Sequence, residues 1–217
     1  MKTRMEFNTQ QKQKIIFSWQ FNYLNHTKKL FMKKIILTAT FYFCFFSFVL
    51  TFKSNAQSLS LADIKAQMVK DWERGKAYTI EYLNTMPPNK YSFKAVDSIR
   101  SFAQQMLHLA AANVFIMMNA TDQAPLSWLP SNIENSTTSQ NKDSVMYYVT
   151  ASYDYCINAV KSLDVNKWGE KKKMFNTYEE TRFALINKTF EHQGHHRGQT
   201  TIYIRLQNIV PPQERLF

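Results

Sequence analysis

Residues 57–217 hold only four glycines and no Asn-Gly or Asp-Gly pair, while their apolar residues recur every three or four positions over long stretches. A tight hairpin turn needs residues that accept a left-handed backbone. An amphipathic helix needs only the 3.6-residue period. The chain is therefore expected to be all-α, since no β-hairpin signal of the Asn-Gly or Asp-Gly type appears.

Four helices are expected. The first runs from Leu61 to Asn84 and is stopped by Pro87-Pro88. The second opens at Ser101, whose Ser101-x-x-Gln104 spacing has capping-box form, and reaches about Asn119. The third covers Asp143 to Leu163. The fourth opens at a second box, Thr177-x-x-Glu180, and runs to about Asn208, ahead of Pro211-Pro212. Residues 120–142, rich in Pro, Ser, Asn and Thr, separate the second helix from the third. Antiparallel neighbours need only a few linking residues, so a link this long predicts a crossover between a parallel pair. The expected architecture is a four-helix bundle with a long crossover between helices two and three. Trp128, set between Pro125 and Pro130, should pin that crossover to the bundle.

The first 56 residues are of another kind. Met32-Lys33-Lys34 precedes an uncharged run from Ile35 to Phe52, and Ser54 and Ala56 follow at small-x-small spacing. These are the parts of a secretory signal, cleaved before Gln57. The run is long for that purpose, so an N-terminal anchor formed by residues 35–52 is the alternative. Residues 1–31 carry polar runs such as Asn8 to Gln13, and are expected to be a gene-model extension upstream of Met32 or a disordered segment. The mature protein would be exported, periplasmic or extracellular.

This division changes the meaning of the net charge of +11. Residues 1–56 contain nine Lys/Arg and one acid, a net of +8, and residues 57–217 contain 18 Lys/Arg and 15 Asp/Glu, a net of +3. A nucleic-acid footprint needs basic residues clustered on the domain itself. The one cluster there, Lys171-Lys172-Lys173, is short and is followed by Glu179-Glu180. Nucleic acid is excluded as a partner. Cys156 is the one cysteine of residues 57–217, so no disulfide forms within them; it is read as a small buried hydrophobe.

Chemistry concentrates in Glu191-His192-Gln193-Gly194-His195-His196-Arg197-Gly198-Gln199. On a helix His196 lies about 40° round from His192 and one turn on, so both imidazoles reach one metal ion, whereas His195 lies about 60° to the other side. Leu185, Thr189, His192, His196, Gln199, Tyr203 and Leu206 share a stripe whose apolar ends bracket a polar middle. His108 sits in the almost wholly apolar Met106 to Ala112 and would supply a third nitrogen, with Ala111, Ala112 and Phe115 as an apolar wall. The plainer reading makes His108 a hydrogen-bonded core residue. Gln193 stands where the glutamate of a His-Glu-x-x-His protease motif would be, so that chemistry is not indicated.

The block from His192 to Leu206, closing on Ile209-Val210-Pro211-Pro212, resembles the last helix of the DinB-like (damage-inducible B) family, and Ser101 to Ala110 resembles that family's second helix. The resemblance covers nearly all of residues 57–217. It implies a four-helix bundle that binds one divalent metal through His108, His192 and His196. Zn or Ni suits three neutral imidazoles best, with Mn, Fe and Co also admitted. It also implies a small-molecule substrate, with a low-molecular-weight thiol as the activated group, and homodimerisation stays open. The expected activity is a metal-dependent transferase or hydrolase; a non-catalytic metal- or ligand-binding bundle is the alternative. Gln199 and His195 are the candidate supporting residues, Gln199 as an orienter of the nucleophile. Arg197 is expected in an ion pair with Glu191 or Glu180, and Gly198 at a close helix approach. No catalytic residue is named.

Overall fold

The computed structural model describes residues 2–50, 58–129 and 132–217. They form two compact units, residues 1–58 and 59–217. The helix described in the first is α1 (Lys2–Leu50), which passes residue 32 without a break. Lys, Gln, Leu and Met are good helix formers and every backbone bond in a helix is local, so the polar start and the apolar run share one conformation. Among the described residues, no helix is long and apolar enough to cross a membrane. The run 35–52 ends beyond them.

The second unit contains α2 (Leu61–Thr85), α3 (Phe102–Thr121), α4 (Lys142–Ser162), a hairpin of β1 (Lys171–Met174) and β2 (Tyr178–Thr181), and α5 (Arg182–Arg205). Two helices begin with complete capping boxes, Ser60 with Asp63 and Ser101 with Gln104. Each box satisfies two N–H groups that a helix start would otherwise leave bare.

Cross-helix bonds give the directions. Lys65 donates to the Leu163 carbonyl and Lys76 pairs with Asp154, so α2 and α4 are antiparallel. Gln105 meets His196 while Arg182 donates to the Ala120 carbonyl, so α3 and α5 are antiparallel. Arg197 meets Thr79 and Thr201 meets Tyr82, so α5 runs with α2. Hence α3 and α4 are parallel, and residues 122–141 are the expected crossover. Trp128 packs partly buried against the core, its ring 5.2 Å from that of Tyr148.

The core lies between the four helices. Trp72 meets Tyr153 and Phe190 edge-on at 5.8 and 5.2 Å between centroids. A Cβ on Gly75 would stand 3.5 Å from Phe190 and 3.6 Å from Tyr153, so neighbouring helices approach at Gly75 and not at Gly198. Gly198 has nothing within 4 Å of an added Cβ and is exposed.

The hairpin corrects the helical start expected at residues 177–181 and adds two short strands to an otherwise all-α bundle. Thr177 does not cap α5; Thr181 does, accepting from the Ala184 N–H at 3.1 Å. The turn uses Phe175 and Asn176, both left-handed at φ 53° and 55°, and closes with Thr177 N–H donating to the Met174 carbonyl. Two non-glycine residues in that region are uncommon, and for a bulky one the conformation is strained. The sequence therefore carries no hairpin signal. Lys171 pairs with Glu179 across the hairpin, while Lys172 reaches Asp122 at the end of α3, so acids of the domain itself offset part of the basic cluster. Buried Arg182 ties the hairpin down. It donates to Glu170, Asp122 and the carbonyl of Ala120 at the end of α3.

Candidate metal centre

Helices α3 and α5 bring His108, His192 and His196 together, with one ligand nitrogen of each within 4.8 Å of the others. The Nε2 atoms of His192 and His196 are 3.1 Å apart. Their i, i+4 spacing places them on one face of α5, as a helix requires. The ring of His108 lies 4.6 Å from that of His196 and 5.4 Å from that of His192.

The rear nitrogens decide which atoms face inward. His108 Nδ1 is 3.0 Å from Glu134 Oε2, and a carboxylate can only accept, so that nitrogen carries the proton. His196 Nδ1 lies 2.8 Å from Gln105 Oε1, with the same consequence. Nε2 is thus the nitrogen that each ring turns to the cluster. Glu134 is itself held by Arg100 Nε at 2.6 Å. Such rear-side acceptors fix tautomer and orientation in metal-bound imidazoles. Nδ1 of His192 is buried without a protein partner.

Burial pushes the His192 pKa down from 6.5 to about 4, helped by the neighbouring His108. The same cause, with His192 beside it, lowers His196 to about 3. Both rings are neutral at pH 7. Converging lone pairs on neutral imidazoles repel one another, and a single proton can be shared across only one of the gaps. A cation relieves the repulsion. Two nitrogens on a tetrahedral zinc stand about 3.3 Å apart, given Zn–N bonds of about 2.0–2.1 Å. The 3.1 Å separation fits with little movement.

The cluster opens onto a cavity of about 780 Å³ lined by Ala111, Ala112 and Phe115 of α3, Pro125 and Leu129 of the crossover, and Phe175 of the hairpin. The apolar wall expected from α3 is present. The crossover and hairpin complete it.

Other residues of the motif fall elsewhere. Gln199 is exposed, its Nε2 3.1 Å from Nε2 of the exposed His195, so it does not face the cluster; it stands two turns beyond His192, on the solvent side it shares with His195. The His195 ring is 4.9 Å from that of His196. Arg197 makes no ion pair among the described residues. It donates to Gln193 Oε1 at 2.7 Å and lies 4.7 Å over the Tyr78 ring. Gln193 in turn accepts from Tyr153, a buried network on the side of α5 facing α2 and α4. Cys156 is buried, its thiol pushed up in pKa by desolvation and directed at the Asn113 carbonyl. Gln105 and Glu134 escaped the sequence reading. Gln105 stands three residues before His108 on one helix face, a signal that was there to use.

A fold of four antiparallel and parallel helices with this ligand geometry can be compared with known proteins. The family model of the DinB superfamily matches residues 71–200. This chain belongs to the DinB superfamily. Its DinB fold is shared with a DinB-like protein from Bacillus cereus at 12% identity and a TM-score of 0.55, covering 68% of this chain and 95% of that one. A DinB-like protein from Bacillus subtilis has 18% identity and a TM-score of 0.52, covering 70% and 96%. A conserved protein from Enterococcus faecalis has 15% identity and a TM-score of 0.55, covering 66% and 96%. No curated protein matches this DinB chain.

Proposed function

We propose that the bundle holds one divalent metal ion on Nε2 of His108, His192 and His196 and acts as a metal-dependent transferase of the thiol type, or a hydrolase, on a small molecule. The observation that carries this is the convergence of three imidazoles at the edge of an apolar cavity. Neutral nitrogen ligands favour Zn or Ni over the harder cations. Three ligands leave a position open, whereas structural zinc sites usually close with four.

The ion would supply a lowered pKa to a thiol or water in its open position, and so a nucleophile at neutral pH. The chain's residues do the rest. Burial keeps His192 and His196 unprotonated. Glu134 and Gln105 hold the rings of His108 and His196 by their rear nitrogens. Ala111, Ala112 and Phe115 exclude water, which strengthens every charge interaction inside. Glu134 is committed to Arg100 and His108 and is not a free base. A thiolate needs no further base, so this arrangement suits thiol chemistry better than amide hydrolysis.

The test offers the metal-loaded chain a panel of thiols with a generic electrophile, and separately a panel of esters and amides. Turnover that disappears in His196→Ala supports the enzyme. Full metal occupancy without turnover in both panels would make the domain a metal-binding protein instead.

Export of the domain is part of the same reading. The signal-like composition of residues 32–56 supports it, as does a compact unit that begins at Leu59.

A further inference from the structure

The cavity beside the histidines has a one-sided chemistry. Among the described residues, His108 and His192 are its polar lining and every other wall residue is apolar, without a single Lys, Arg, Asp or Glu. We propose that the substrate held there, given the metal site above, is a hydrocarbon-bodied molecule with one polar, metal-ligating or electrophilic head directed at His108 and His192.

Volume and wall chemistry argue for this together. About 780 Å³ is the size of a small-molecule pocket, with its polar groups gathered at one end. A charged tail placed against Ala112, Phe115 and Leu129 would lose its hydration and find no partner. Hydrocarbon placed there gains in proportion to the area removed from water.

Phe175 adds an independent observation. It sits at the hairpin tip with φ 53°, a conformation that Gly or Asn adopts far more readily than a bulky residue. The residue is also 66% exposed. What the ring gains in return is a stacked contact with Phe115, 5.6 Å between centroids, and a place in the cavity wall. The turn by itself has no need of a phenyl ring. A hydrocarbon body between these walls would cover surface that Phe175 now leaves in water.

The experiment titrates the zinc-loaded full chain with straight-chain hydroxamates from acetyl to decanoyl, with the matching alcohols, and with octanethiol against glutathione. Affinity should rise about fourfold per added methylene until the cavity is full. Octanethiol should bind well ahead of glutathione. Phe175→Asn, which suits the left-handed turn, and Ala112→Phe, which fills the cavity, should each weaken octanoyl hydroxamate about tenfold and leave acetohydroxamate nearly unchanged. Affinity independent of chain length, or glutathione bound as tightly as octanethiol, overturns the proposal. Hydroxamates and alcohols that share one chain-length slope, with no advantage from zinc, would support the cavity and sink the metal site.

Discussion

Glu134 Oε2 lies 3.0 Å from Nδ1 of His108, a carboxylate of the crossover loop seated behind a histidine of α3. The contact ties the chain's least regular segment to its candidate metal centre. It predicts that Glu134→Ala lowers metal affinity about 10–100-fold, the usual cost of losing an outer-shell partner. Chelator competition measures it, with circular dichroism to check that the bundle remains. Unchanged affinity would show that the loop carboxylate serves only Arg100.

The three-histidine geometry makes a sharper prediction about neighbours in sequence. His192→Ala and His196→Ala should each remove most of the bound metal from the purified chain, measured by elemental analysis. His195→Ala should remove far less, because His195 is exposed and paired with Gln199. Equal losses at 195 and 196 would mean that the wrong pair has been assigned.

Acid should destabilise the metal-free protein through the same rings. Their folded pKa values, about 4 and about 3, lie below the ordinary value of 6.5. Above pH 6.5 neither the folded nor the unfolded chain binds a proton there, and the pair costs nothing. As pH falls from 6.5 towards 4, the unfolded chain takes up protons that the folded chain refuses, so stability drops. Urea midpoints in chelator at about pH 7.5 and about pH 5 should show the loss. The double variant His192→Ala, His196→Ala should lose less over that interval; an identical loss would place its origin elsewhere.

Gly198 distinguishes two readings of the motif. A packing role predicts damage from any side chain. Open space around its Cβ predicts that Gly198→Ala stabilises α5 by about 0.5–1 kcal/mol, the difference in helix propensity. Thermal melting should register this as a rise of about 1–4 °C for a domain of this size.

Processing is the remaining prediction. Mass spectrometry of the protein from its native host should find an N-terminus at Gln57. An intact Met1 on cytoplasmic protein would end the signal reading.

How far the sequence reached follows from the range of the forces involved. Helix starts at Ser60 and Ser101 are local events, a side chain bonding a backbone N–H three residues on, and the capping spacing at Ser101 was legible directly. The pairing of His192 with His196 is equally local, a property of one helical turn. The length of residues 120–142 was enough to predict a crossover, and with it the parallel course of α3 and α4. What lay beyond reach depended on distant segments. The capping pattern at Thr177 lost to Thr181 because Arg182, held by Glu170, Asp122 and the end of α3, draws residues 171–181 into a hairpin that has no turn signal of its own. Gln199 falls outside the site because it stands two turns beyond His192 on the exposed side of α5, and which part of a helical stripe is covered is decided by the segments packed against it. Glu134, 26 positions beyond His108, reached it by way of a crossover loop whose path is decided by tertiary contacts. Periodicity and caps are written in neighbouring residues, whereas the rear support of the metal ligands and the walls of the cavity exist only where segments remote in sequence meet.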